Sequence, residues 1–333
     1  MSRRQTGYRV VLTLFMFSAL TVVYGGTYAY VSNTNNDATG NTVQAVDLES
    51  NSVVATITVG TFPNGMAQTV DGSRIYVANY GDNTVSVIDI ANNTVIATVP
   101  VGGSPGGVAV SPDGNFVYVS NWHGWSISII EIATNSVVAT IPSISYPGQL
   151  VFSPDGRMLF VVNLWRNFDP NQPGAVTVID TSVNQVVRTI PMPDATAGMA
   201  ITPDGRSLYV TEVNLNQVIK ISTLNYKVMG KISVGSRPVA IVVSRDGKIA
   251  YVADSALFGG SPDVRVIKLS SGRVVRMIGV GTDPVALALN SIGTYLYVVN
   301  QLSNTISVVN TGNNTVTATV PVGTGPTVMV LAP

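Results

Sequence analysis

The sequence predicts an all-β fold, a seven-bladed β-propeller of four-stranded antiparallel blades, and two observations carry that expectation. First, an aromatic-Val-X-Asn phrase recurs seven times, starting at Tyr30, Tyr76, Tyr118, Phe160, Tyr209, Tyr251 and Tyr297. Successive aromatics lie 46, 42, 42, 49, 42 and 46 residues apart. A fixed period of about 40–45 residues built from short strands marks propeller blades. Second, the chain ends complement one another. Residues 27–60 hold three strand-like runs with no innermost run before them, and residues 326–333 hold one run with nothing after it. Pairing the C-terminal run with the N-terminal three closes the ring and hides an edge of backbone donors and acceptors.

Each unit contains four runs, A to D from the channel outwards, shown well by residues 106–142. The A strands are expected to begin near Gly65, Gly107, Gly148, Gly198, Val239, Val285 and Val328. After A comes a turn such as Ser111-Pro112-Asp113-Gly114, in which Pro presets φ and Gly accepts φ > 0. The turn returns as Pro154-Asp155-Gly156 and Pro203-Asp204-Gly205, with Asp71-Gly72 and Asp246-Gly247 as variants. Strand B, at 116–120, is β-branched and aromatic. Strand C, at 126–132, alternates polar and apolar like a strand with two unlike faces. Strand D, at 137–141, follows the Thr134-Asn135 turn.

Residues 1–26 stand apart. Arg3, Arg4 and Arg9 precede an apolar run at 10–24 and then Gly25-Gly26, the three-part form of a secretory signal. A membrane span needs about 20 apolar residues, so this run is short for one. The expected organisation is a signal peptide or short anchor at 1–26 and a propeller at 27–333. That places the protein outside the cytoplasm: secreted, periplasmic or at the cell surface. Membrane contact would come only through the leader, if it is retained. The leader takes three arginines with it, leaving 15 Lys+Arg against 18 Asp+Glu. A slightly acidic chain lacks the basic face that nucleic acid requires. The absence of cysteine excludes disulfides and thiol chemistry.

The aromatic-Val-X-Asn strand, the Ser/Thr-Pro-Asp-Gly turn and the Val-Ala-Thr-Ile/Val D strand together resemble the YVTN family of β-propeller repeat proteins. Asn83-Thr84-Val85-Ser86-Val87-Ile88-Asp89 and Asn304-Thr305-Ile306-Ser307-Val308-Val309-Asn310 match that family's C strand closely. The resemblance spans residues 27–333. It implies an extracytoplasmic propeller of the kind found in archaeal surface-layer and bacterial exported proteins, more often a binding or surface component than an enzyme. Fold alone does not license a function.

In a repeating ring the shared residues maintain the fold, so departures from the repeat mark a site. The B–C and D–A connections should share one face, around the channel mouth. Glu212 and Asp254 replace the motif Asn in neighbouring blades 5 and 6, with Arg237 in the connection between them. Either acid can serve a local turn, as the Asn copies do, or the two can face the mouth as a pair. Blade 3 carries Trp122-His123-Gly124-Trp125 in its B–C connection, and His123 is the sole histidine. An exposed loop histidine explains it equally, but a general base near neutral pH is the functional reading. Blade 4 has a long connection with Trp165, Arg166 and Phe168, and blade 6 another with Phe258. Phe62, Tyr146, Arg237 and Asp283 add to the same opening from the D–A side. Long loops on a rigid ring are where binding function is placed.

Gly-rich segments such as 101–107, which includes Gly102-Gly103-Ser104-Pro105-Gly106, precede strands and not helices, so neither a phosphate loop nor a Gly-X-Ser-X-Gly nucleophile turn is read here, and no metal-ligand spacing is present. Asp47, Asp89 and Asp180 end strand C in equivalent places and read as turn formers; structural calcium there is compatible with the residues and not specified by spacing. No cofactor is evident. The expected function is a binding module that takes a protein, glycan or small-molecule ligand at the mouth over blades 3–6. One alternative is a lyase, cyclase or lactonase using His123 with Arg166 or Arg237 and Glu212 or Asp254. The other is a structural surface-layer component.

Overall fold

The first sheet contains β1 (Tyr28–Asn33), β2 (Thr42–Asp47), β3 (Ser52–Thr58) and, beside β1, the last strand of the chain, β28 (Pro326–Ala332). Tyr30 pairs with Val330 across that junction. The computed structural model describes residues 28–35, 40–163, 174–255 and 262–332, so the leader lies outside the described residues. Six further four-stranded antiparallel sheets follow in chain order, over 63–100, 105–142, 147–191, 196–233, 238–279 and 284–321. The ring of seven blades, latched by the C-terminal strand, is therefore as the sequence predicts.

One boundary differs. Six A strands start at a proline, Pro63, Pro105, Pro147, Pro238, Pro284 and Pro326, one or two residues ahead of the expected start. Proline reads as a turn residue, yet it is tolerated as the first residue of a strand, where its missing N–H breaks no ladder bond.

Each position of the repeated phrase has a structural job. The tyrosine hydroxyl reaches the C–D turn of the next blade: Tyr30, Tyr76 and Tyr118 donate to Oδ1 of Asn93, Asn135 and Asn184 at 2.7, 2.6 and 2.8 Å. The valine is fully buried between blades. Where X carries a hydroxyl, it satisfies an amide freed by an irregularity in strand A. Ser120 Oγ accepts from Gly107 N, and Thr211 Oγ1 from Gly198 N, both at 2.7 Å. The Asn ties strand B to strand C. Nδ2 of Asn79 donates to Thr84 Oγ1 and Ser86 Oγ at 2.9 Å, and Asn121 and Asn300 repeat the pattern. Only a bare backbone fits above this amide. A Cβ on Gly102 would lie 2.6 Å from Asn121 Cγ.

Seven apolar clusters lie between neighbouring blades, one per interface. β28 serves two of them. Met329 and Leu331 pack towards blade 7, while Val328, Val330 and Ala332 pack towards blade 2. At about 1.5–3 kcal/mol for each fully buried large aliphatic side chain, these interfaces stabilise a ring without disulfides.

Candidate functional site at the channel mouth

The mouth is built from paired positions, seen in six of the seven blades, the blade 4 partner of Tyr146 lying outside the described residues. The residue after the motif Asn donates its N–H to the carbonyl of the residue before strand A. Tyr80 thus bonds Phe62 (3.0 Å), Trp122 bonds Ser104 (3.0 Å) and Val213 bonds Ala195 (2.9 Å). Ser255 bonds Arg237 (3.0 Å), Gln301 bonds Asp283 (2.8 Å) and Thr34 bonds Gly325 (2.9 Å). This confirms that B–C and D–A connections share a face. Residues before the six A-strand prolines all have positive φ, from 42° at Tyr146 to 63° at Gly325. For bulky Phe62 and Tyr146 that is a strained conformation held by its surroundings.

The pairs divide the opening chemically. Blades 2 to 4 supply rings, blade 6 supplies Arg237, and blades 1 and 5 supply small or aliphatic residues. Asp283 of blade 7, expected at the opening, is fully buried and accepts a hydrogen bond from Ser255 Oγ. Phe62 meets Tyr80 edge-on at 5.1 Å between centroids, and Tyr80 lies 5.8 Å from Trp122. Trp122 stacks on His123 at 4.9 Å and meets Tyr146 edge-on at 6.3 Å. Tyr146 in turn contacts Trp125 at 5.9 Å. His123 Nδ1 lies 2.9 Å from Ser104 Oγ. Burial raises the Tyr80 pKa, partly offset by a hydrogen bond from Ser104. The Trp122 indole Nε1 is buried and has no partner.

Below this wall opens a chamber of about 640 Å³ down the ring axis. Phe62, Tyr80 and Trp122 stand at its aromatic end, and A-strand side chains such as Met66, Leu150, Ile241 and Met329 line the rest. Among the described residues no charged side chain lines it. The polar side chains are few. Gln149 spends its Oε1 on Met199 N (2.7 Å), and Asn64 is the other amide.

The acids singled out from the sequence are not part of this chamber. Glu212 and Asp254 are fully buried at the end of strand B, where the motif Asn sits elsewhere. Each bonds its own strand C. Glu212 Oε2 accepts from Gln217 Nε2 at 2.5 Å. Asp254 Oδ2 lies 2.7 Å from Arg265 Nε, which also pairs with Asp263 at 2.8 Å. The cation against Asp254 is thus Arg265, not the expected Arg237. Burial raises the pKa of Glu212, and burial pushes that of Asp254 up to about 7 against the opposing pull of Arg265. Asp47, Asp89 and Asp180 accept turn N–H groups, as expected of turn formers. Among the described residues no group of three or more His, Cys, Asp or Glu gathers.

Of the expected site residues, Phe62, Trp122, His123, Trp125 and Tyr146 converge, centred on blades 2 to 4. Trp165, Arg166, Phe168 and Phe258 lie outside the described residues. Sequence reasoning missed Tyr80, Ser104 and Arg265. Tyr80 had a signal: it follows the motif Asn in blade 2, where Trp122 does in blade 3.

The family model for the cytochrome D1 heme domain matches residues 37–164, less than half of the chain. A search of curated proteins finds no match. Many solved structures share the fold. Hydrazine synthase of Kuenenia stuttgartiensis superposes with a TM-score of 0.73 at 22% identity, covering 84% of this chain and 94% of that one. The periplasmic gluconolactonase of Pseudomonas aeruginosa gives 0.72 at 20% identity, over 92% and 99%. Dihydro-heme d1 dehydrogenase NirN, in complex with DHE, gives 0.66 at 16%, over 91% and 74%. The residues present do not fit a haem. Among the described residues its carboxylate arms find no basic side chain in the chamber, and the sole histidine sits stacked on Trp122 at the rim with Nδ1 facing Ser104. At these identities the likeness carries the seven-bladed propeller, and the YVTN resemblance stands on the motif residues alone.

Proposed function

We propose that the protein is an exported propeller that acts as a binding module, holding its ligand on the aromatic wall of blades 2 to 4. One observation carries this reading: an unbroken chain of ring contacts, Phe62–Tyr80–Trp122–Tyr146–Trp125, at the opening of a concave chamber. Clustered aromatics with partly exposed faces at a pocket mouth are typical anchors for a partner. The equivalent positions in blades 1 and 5 do without rings, so the fold does not require them. The Arg-rich leader followed by an apolar run supports export, as does the periplasmic gluconolactonase among the fold neighbours.

A catalytic role for His123 is the second reading, supported by its contact with Ser104 and by the gluconolactonase neighbour. Catalysis draws on several titratable groups aimed at a substrate, and Glu212 and Asp254 are instead turned into their own blades. The test is a thermal-shift screen of small molecules against the wild type, the Trp122→Ala, Tyr80→Ala double variant and His123→Ala. A ligand should raise the wild-type midpoint, lose its effect in the double variant and keep it in His123→Ala. Turnover abolished by His123→Ala with binding retained would reject the binding-module reading.

A further inference from the structure

We infer that copies of this chain associate side by side, the basic outer edge of blades 4 to 6 in one ring meeting the acidic outer edge of blades 1 to 3 in the next. The contact is separate from the mouth and goes beyond the binding reading above. It starts from a partition of charge along the whole sequence. Residues 147–279, blades 4 to 6, hold fourteen of the fifteen Lys+Arg that follow the leader, against nine Asp+Glu. The four adjacent blades 7, 1, 2 and 3, residues 27–146 and 280–333, hold Arg74 alone against nine acids.

The partition reaches the rim. Strand D ends each sheet on the outside of the ring, so its outer backbone edge is open to another strand. In blades 4, 5 and 6 strand D carries Arg188, Lys231, and Arg273 with Arg276, all exposed. None of the four forms an ion pair with a described acid. Charged side chains of this kind blunt an edge strand against chance pairing. The D strands of blades 7, 1, 2 and 3 have no charged residue, and they expose Val316, Val54, Ile96 and Val138. Acids flank these apolar edges instead. Strand C of blades 1 to 3 ends in Asp47, Asp89 and Glu131, and Glu49 is exposed in the next turn. Blade 6 has Lys268 at that position.

A second copy is the partner that this pattern fits, because each ring carries both an edge and its charge complement. The Arg stems would cover the exposed Val and Ile of the facing strand, with their guanidinium groups on the flanking carboxylates. The two edges differ, so the contact is head-to-tail and repeats into chains or larger rings.

The test is sedimentation velocity of the full chain over a concentration series, at about 20 mM and about 500 mM salt. Association should grow with concentration at low salt and weaken at least about 10-fold at high salt. Two variants each break one edge: Arg188→Glu, Lys231→Glu, Arg273→Glu, Arg276→Glu on the basic side, and Glu49→Lys, Glu131→Lys on the acidic side. Each alone should associate at least about 10-fold more weakly than the wild type. Mixed in equal amounts they should recover one intact contact and stop at a dimer, which misfolded variants could not do. A wild type that stays monomeric throughout, association that both variants retain, as contact through the apolar leader would give, or a mixture that fails to dimerise would each overturn the inference. So would a wild type that is monomeric in solution but sediments with phosphatidylglycerol vesicles, since the basic edge would then serve a lipid surface.

Discussion

Trp125 is the substitution at which the ring gives up stability, and replacing it should restore some. The residue before strand C lies 21 positions ahead of the residue before the next strand A. In three blades it is an asparagine with positive φ: Asn83 at 57°, Asn216 at 53° and Asn304 at 55°. The Oδ1 of each accepts the N–H of its partner, Ser104 at 2.7 Å, Arg237 at 2.9 Å and Gly325 at 2.9 Å. Trp125 holds the same conformation at 48°, has no side-chain acceptor and is 53% exposed. Trp125→Asn relieves a left-handed conformation that is unfavourable for a bulky residue, worth about 1 kcal/mol. It also offers Tyr146 N a hydrogen bond worth about 1 kcal/mol. Against this stands the lost edge contact with Tyr146, about 0.5–1 kcal/mol. The net expectation is a gain of about 1 kcal/mol, seen as a rise of about 2 °C in the thermal midpoint and a higher urea midpoint at unchanged slope. A variant less stable than the wild type would refute the reasoning, because it would mean that Trp125 contributes packing the geometry does not reveal.

Other predictions follow from the buried groups. Asp254 has its pKa raised from 3.8 to about 7, so the folded state holds its proton more tightly than the unfolded chain does. Its contribution to stability is full below about pH 4 and declines as pH rises through 7. Urea midpoints should show that decline in the wild type and a flatter profile in Asp254→Asn, and identical slopes would count against it. Removing residues 326–332 withdraws the apolar side chains of β28 from two clusters and bares the edge of β1. The loss of about 5 kcal/mol or more is comparable to the whole stability of a domain. The expected outcome is loss of a cooperative melt, and an unchanged melting curve would contradict ring closure. Gly102→Ala forces a Cβ to 2.6 Å from Asn121 Cγ. It should cost about 2 kcal/mol, measured as a lower urea midpoint, whereas a neutral outcome would mean that the amide can swing away.

The ring was legible because its motif residues are locally sufficient. A Tyr that must reach the next blade, a hydroxyl that caps an amide of strand A and an Asn that spans to strand C all demand specific side chains. They therefore recur in register. The start of strand A was less legible, because Pro63 and its counterparts signal a turn to sequence reasoning while serving as the first strand residue. The site was half legible. Trp122, Phe62 and Tyr146 are legible in the sequence, whereas Tyr80 is a single ring after the motif Asn in a connection of ordinary length. The pairing of mouth positions that gives Tyr80 its place arises from hydrogen bonds between segments about 18 residues apart, such as Tyr80 N to Phe62 O. Glu212 and Asp254 misled for a related reason. Their partners, Gln217 and Arg265, change together with them on strand C, and this compensation keeps both acids inside the blade.

The most direct test is a crystal structure of the protein grown with a ligand found in the thermal-shift screen. Difference density should lie at the aromatic end of the axial chamber, against Tyr80 and Trp122. Density over Arg237 instead, or only on the opposite face of the ring, would contradict an aromatic wall that binds its ligand at the mouth.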